Sequence, residues 1–98
     1  MSLKVYLRTK AEADLEDAAE WYEKQREGLG QEFLDDVLRA FETIAENPNL
    51  YPVVHRYTHR ALVQKFPFGI YYRVEKDSIV VIAIMHGSRH PQRWKERT

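Results

Sequence analysis

The sequence predicts an α+β fold, ordered β-α-α-β-β-β, in which a two-helix hairpin packs on one face of an antiparallel-dominated sheet. Three observations point to it. Leu3, Val5 and Leu7 alternate with Lys4, Tyr6 and Arg8, the period-two pattern of a strand with one buried face. Two apolar stripes at helical spacing follow, broken by Glu27-Gly28-Leu29-Gly30. Two further strand-like runs, Phe68 to Glu75 and Ile79 to Met85, are joined by the short turn Lys76-Asp77.

Each element has its own justification. After the first strand, Thr9 with Glu12 three residues later reads as a capping box opening a helix over residues 10–25. Ala11, Leu15, Ala18, Ala19 and Tyr22 form its stripe, with Trp21 at the margin. Gly28 suits a left-handed C-terminal cap, and Gly30 suits the N-cap of the next helix with Leu29 and Leu34 as a hydrophobic staple. The second helix carries Phe33, Val37, Phe41 and Ile44 on one stripe, and Asn47-Pro48 ends it. The short turn makes the pair an antiparallel hairpin. Residues 47–58 read as loop, and residues 59–66 as a strand ended by Pro67. The seven-residue apolar run Ile79 to Met85 belongs in the middle of the sheet, covered on both faces. With helices on one face only, something else must cover the other: the C-terminal segment, a second copy or a partner. Pro91 is placed to open a short helix carrying Arg93, Trp94 and Arg97.

The 98 residues make one domain, 1–98. Hydrophobic residues at 44% and charged residues at 31% fit a globular chain, and four Gly with four Pro exclude collagen-like and disordered classes. A spanning helix needs about 20 apolar residues, so no membrane segment is expected, and the apolar stretch at the N-terminus is too short for a signal peptide. The absence of Cys excludes thiol catalysis and Cys-based zinc sites and fits a cytoplasmic chain. The zero net charge is divided: residues 1–50 carry six Lys/Arg against twelve Asp/Glu, and residues 51–98 carry nine against three with all four His. A basic face in a neutral protein points to a polyanionic partner or an acidic protein segment, or merely balances an acidic helical layer.

The chemistry-bearing residues gather in the later half: Arg60, Lys65, Tyr71, Arg73, His86, Arg89, His90, Arg93 and Trp94. Tyr71 and Arg73 share the strand face opposite Ile70, Tyr72 and Val74. One reading is RNA cleavage, with His86 moving protons and Arg60 and Arg89 on the scissile phosphate. The other is a docking surface of Tyr71, Arg73, His90, Arg93, Trp94 and Arg97, residue types that anchor protein interfaces. On that reading Arg89, Arg93 and Trp94 lie outside the core; Trp94 could equally fold back as a lid on the sheet. The pairs His55/His59 and His86/His90 have His-x-x-x-His spacing, but neither lies on a helix or near an acidic third ligand, so no metal and no cofactor is expected.

The ordered set Ala13-Asp14-Leu15, Trp21-Tyr22, Gly28-Leu29-Gly30, Phe33, Asn47-Pro48, Tyr51-Pro52, Arg60, Phe66-Pro67-Phe68, Ile70-Tyr71-Tyr72-Arg73-Val74 and Val81 to His86, closing with Arg89, Pro91, Trp94 and Arg97, resembles the RelE/ParE toxins of type II toxin–antitoxin modules. The resemblance covers nearly the whole chain. It implies the fold above and a cytoplasmic toxin that inhibits growth, in some modules serving plasmid stabilisation. It also implies a cognate ParD/RelB-like antitoxin, in a hetero-oligomer, whose C-terminal part covers the helical hairpin at Trp21, Tyr22, Phe33, Val37 and Phe41 and the outer sheet face. Two targets divide the family. ParE-like members inhibit DNA gyrase by docking and have no demonstrated nuclease residues; RelE-like members cut messenger RNA on the ribosome. The long hairpin and the His86-Gly87-Ser88-Arg89 segment look more like ParE, and Lys65 stands nearly alone among lysines of the middle strands. His86 and Arg89 keep the nuclease alternative open, as an inert assembly partner also stays open.

Overall fold

A computed structural model describes residues 2–89 and 91–98. The order is β1 (Lys4–Leu7), α1 (Thr9–Gln25), α2 (Leu29–Glu46), β2 (Val53–His55), β3 (Thr58–Leu62), β4 (Phe68–Glu75), β5 (Ser78–His86) and α3 (Gln92–Lys95). One five-stranded sheet has the order β1-β5-β4-β3-β2. β1 runs parallel to β5, and the remaining pairs are antiparallel. The α+β class and the hairpin-on-sheet layout hold, with one strand more than expected.

The first strand passes into α1 without a capping box. The Arg8 N–H still bonds to Val81 in the sheet, while the Arg8 carbonyl already accepts the Glu12 N–H of the helix. Arg8 is therefore the extended N-cap, and Thr9 lies inside the helix, where its hydroxyl cannot cap. The α1–α2 turn is also built differently. Gly28 does take the left-handed conformation (φ 87°), but it is the N-cap of α2, and Gly30 lies within that helix. The Glu23 carboxylate accepts from the N–H groups of both Gly28 (2.9 Å) and Gly30 (3.0 Å). A side chain of α1 thus supplies the capping that α2 lacks in its own sequence.

The α2 stripe meets the sheet as expected, with Phe33, Val37, Phe41 and Ile44 buried against Ile70, Tyr72, Ile79 and Val81. Asp36, also buried on α2, accepts the Lys65 N–H at 2.8 Å and faces Arg39 at 3.8 Å. This holds the β3–β4 connection against the helix, so β3 ends at Leu62 instead of running to Phe66. Residues 53–55, expected as loop, form the edge strand β2, joined to β3 by the turn Arg56-Tyr57.

β5 serves two cores. A bulge lies where Tyr71 pairs with Ala83 and Tyr72 with Val81, so Ile82 is the extra residue. Ile79, Val81 and Ile84 point into the helical core, while Ile82, Ala83 and Met85 join Tyr71 and Trp94 on the opposite face. The expectation of a strand covered on both faces holds, and the cover is the C-terminal segment. Of the two readings of Trp94, an anchor outside the core or a lid on the sheet, the structure has the lid. It is 5% exposed and stacks on Tyr71 with ring centres 4.5 Å apart.

Candidate functional site

An open groove of about 1000 Å³ runs between α1 and the C-terminal segment, beside the end of β5. Its origin is the length mismatch between β1 and β5. Pairing stops at Leu7 with Val81, yet β5 continues to His86. Past Val81 the backbone of β5 has no strand neighbour on that side, and side chains take its polar groups. Asp14 of α1 accepts the Ile84 N–H at 3.0 Å. Arg97 donates to the Ile82 carbonyl at 3.2 Å. The two side chains pair with each other through both guanidinium nitrogens, at 2.6 and 3.2 Å, and Arg8 donates to the Arg97 carbonyl at 3.2 Å. Both are about four-fifths buried (Asp14 18% and Arg97 19% exposed), which makes this bidentate pair much stronger than a solvated one. It straps the C-terminal segment to α1.

Beyond the strap, Tyr22, Phe68 and Met85 give the groove an apolar floor, Trp21 stands at its rim, and Asp17, Arg89 and Arg93 add charges of both signs to its lining. His86 ends β5 with its ring edge-on to Phe68 at 5.4 Å. The Ser88 N–H donates to His86 Nδ1 at 3.0 Å, and the Ser88 hydroxyl lies 2.8 Å from the same nitrogen. A backbone N–H can only donate, so Nδ1 is the acceptor and the neutral ring carries its proton on Nε2.

The structure divides the residues expected to act together. His86 and Arg89 share the groove, but Arg60 does not. Arg60 is the cross-strand neighbour of Tyr71 and lies on the face away from the helices. His86 pairs with Phe68, which belongs to the helical core. β4 separates their strands, a displacement of about 10 Å, with the sheet itself between the two side chains. Of the docking set, Tyr71 and Trp94 are stacked and buried, Arg73 is partly buried 3.6 Å from Glu75, Arg97 is held in the strap, and Arg93 is exposed. His90 lies outside the described residues. Of the set expected to meet an antitoxin, Phe33, Val37 and Phe41 are core residues, because the α2 stripe faces the sheet. Tyr22 is half-buried among Phe33, Phe66 and Phe68, and Trp21 is 58% exposed at the groove rim. The His55/His59 pair is split too: His59 stacks on Tyr72 in the helical core, and His55 abuts Trp94. Asp14 and Ser88 enter the sequence reading only through the family resemblance, and Met85 only as the end of an apolar run; none is expected there at a site. Only the bulge and the early end of β1 bring them to the groove, and a local pattern does not carry that.

No helix among the described residues is long and apolar enough to cross a membrane, and none of their His, Asp and Glu side chains cluster in threes as metal ligands. The helical hairpin, the sheet order and the C-terminal segment packed on the second face define the class: an α+β domain with one helical layer on a mixed five-stranded sheet. Residues 5–91 match the family described as the ParE toxin of type II toxin–antitoxin system, parDE, and the chain belongs to that family. It is similar in fold to a chain of the chromosomal ParDE toxin–antitoxin system from P. aeruginosa, with a TM-score of 0.70 and 18% identity over 87% of this chain and 96% of that one. It is also similar to a chain of the RelBE2 toxin–antitoxin complex from Mycobacterium tuberculosis, with a TM-score of 0.63 and 16% identity over 88% and 99%. No curated protein sequence matches the chain.

Proposed function

We propose that this chain is a cytoplasmic toxin, neutralised by a cognate antitoxin, that arrests growth by docking on DNA gyrase and not by cutting RNA. The observation that carries the reading is the separation of His86, the acid–base candidate, from Arg60, one of the two arginines expected on the phosphate. Strand scission needs proton carriers and cations around one phosphate, and His86 and Arg60 lie on opposite faces of the sheet. Membership in the ParE family supports the same side. Purified chain added to a supercoiling reaction is expected to inhibit gyrase, and added to a translation extract to leave message intact. Codon-specific cuts with unaffected gyrase would reverse the assignment.

The groove is the place for an antitoxin segment. It is apolar at the floor, has Trp21 at the rim, and carries opposite charges on its walls. Co-expression with the neighbouring antitoxin is expected to raise solubility and melting temperature. A lone chain that is stable and indifferent to that product contradicts this. The ribonuclease reading keeps one observation of its own: His86, Arg89 and Arg93 all line the groove. In that case His86→Gln, in a chain that keeps its circular dichroism spectrum, lowers cleavage by a factor of about 10² to 10⁴.

A further inference from the structure

The sheet edge far from the groove carries a second surface. Among the described residues seven large apolar side chains are more than half exposed, and three of them fall within eight residues: Leu50 (65%), Val53 (55%) and Tyr57 (83%). Arg56, exposed between them, has φ 53°, in the left-handed region that Gly or Asn adopts more easily. Tyr57, in the two-residue turn, is the most exposed of the seven. β2 itself is a poor template for strand addition: it has three residues, follows Pro52, and pairs irregularly with β3. Recognition at this edge therefore runs through side chains.

The charge of the region selects the partner. Residues 47–74 contain no Asp or Glu and four Lys/Arg, of which Arg56, Arg60 and Lys65 are exposed. A long stretch of one sign favours carboxylates opposite it. The aliphatic Leu50 and Val53 match an apolar protein patch and have no use against a phosphate backbone. Tyr and Arg are the side chains that most often dominate binding energy when buried in an interface.

We propose that the β2–β3 turn, with Leu50, Val53, Arg56 and Tyr57, is the surface through which this chain docks on its target protein, at an apolar patch rimmed by carboxylates. The inference rests on the docking mode of action above. It assigns the target to a different edge from the groove, with β4 and β3 in between.

The test uses the full chain, the double variant Arg56→Asn with Tyr57→Ala, and the control Lys76→Asn. Lys76 also occupies a left-handed turn position (φ 49°), in the β4–β5 hairpin. Asparagine relieves both turns, so all three proteins are expected to fold and to bind co-expressed antitoxin alike. The double variant is expected to need roughly tenfold or more protein to inhibit purified gyrase and to lose growth arrest, while Lys76→Asn matches wild type. If the double variant melts early, Tyr57→Ala alone makes the same comparison. Equal potency of double variant and wild type overturns the proposal and leaves the gyrase reading intact. Growth arrest by wild type without gyrase inhibition overturns the gyrase reading alone; loss of arrest in the double variant then supports docking on another protein, and retained arrest overturns it. A wild-type chain with neither effect overturns both. Binding of a labelled RNA hairpin or DNA duplex that the double variant loses makes the occupant a nucleic acid and overturns the proposal. Self-association lost in the double variant makes it a second copy, with the same consequence.

Discussion

Trp94 shows how much a single side chain's placement changes what a substitution reports. It closes the second core over Tyr71, Ala83 and Met85, so Trp94→Ala is expected to cost about 3–5 kcal/mol of stability. Loss of toxicity in that variant then reports unfolding before it reports docking. A chemical denaturation midpoint equal to wild type would show the lid reading to be wrong. Gly30 is as strict for a different reason. A Cβ there would sit 2.6 Å from the Ala19 carbonyl oxygen, which is backbone and cannot rotate away. Gly30→Ala is expected to part the two helices and cost about 1–3 kcal/mol; an unshifted midpoint contradicts this. Tyr72 couples the helical core to alkaline pH. Burial first, and Tyr51 second, push its phenol up to about 12, and its O–H donates to the Pro48 carbonyl at 2.7 Å. The unfolded chain releases that proton near 10 and the folded chain keeps it. Stability is therefore fully present below pH about 10 and is lost as pH rises toward about 12. Tyr22, raised in the same direction by burial, adds to the trend. Melting temperature measured from pH 8 to 12 is expected to fall less steeply in Tyr72→Phe than in wild type.

At the scale of elements, the Asp14–Arg97 strap has a measurable signature. Single truncations to Ala leave the partner charge and one β5 backbone group unpaired, so the double variant is expected to lose less than the two singles together, by about 1–3 kcal/mol. Additive losses would mean the pair is incidental. Hydrogen exchange at the Ile84 amide is expected to speed up in Asp14→Ala, because the carboxylate is its acceptor. The elements also show what could be read in advance. α1, α2, β4 and β5 were legible because their apolar periods are long and their turns are marked by Gly, Pro or Lys76-Asp77. β2 was not, since three residues beside Pro52 have no period and exist only through pairing with β3. The candidate site was half legible. His86, Arg89, Arg93, Trp21 and Tyr22 do meet in one groove, whereas the break with Arg60 depends on which face each residue takes after the bulge. A period-two pattern through the apolar run 79–85 cannot locate that bulge, because every residue of the run is apolar.

Across the whole molecule, the divided charge becomes a polarity of layers. Glu12, Glu16, Asp17, Glu20 and Glu23 are exposed on α1, and Arg56, Arg60 and Lys65 are exposed at the far end of the sheet. Such a molecule approaches an anionic partner oriented. Association with gyrase through the basic end is expected to slow markedly between about 50 and 300 mM salt, with dissociation changing less. Surface-immobilised kinetics would measure both rates, and a salt-independent association rate contradicts the electrostatic part of the reading.

The parallel alignment of Lys4–Leu7 beside Ser78–Val81 sets an order on how this chain matures. Its first strand has no partner until Ser78–Val81 have been made, and Arg97, which seals the neighbouring edge, comes later still. Closure of so long a loop is a slow folding step, dominated by contacts distant in sequence. A ribosome making this protein therefore carries an incomplete sheet until β5 and the segment after it have been made. Until then the nascent chain has neither the closed sheet nor the groove beside it.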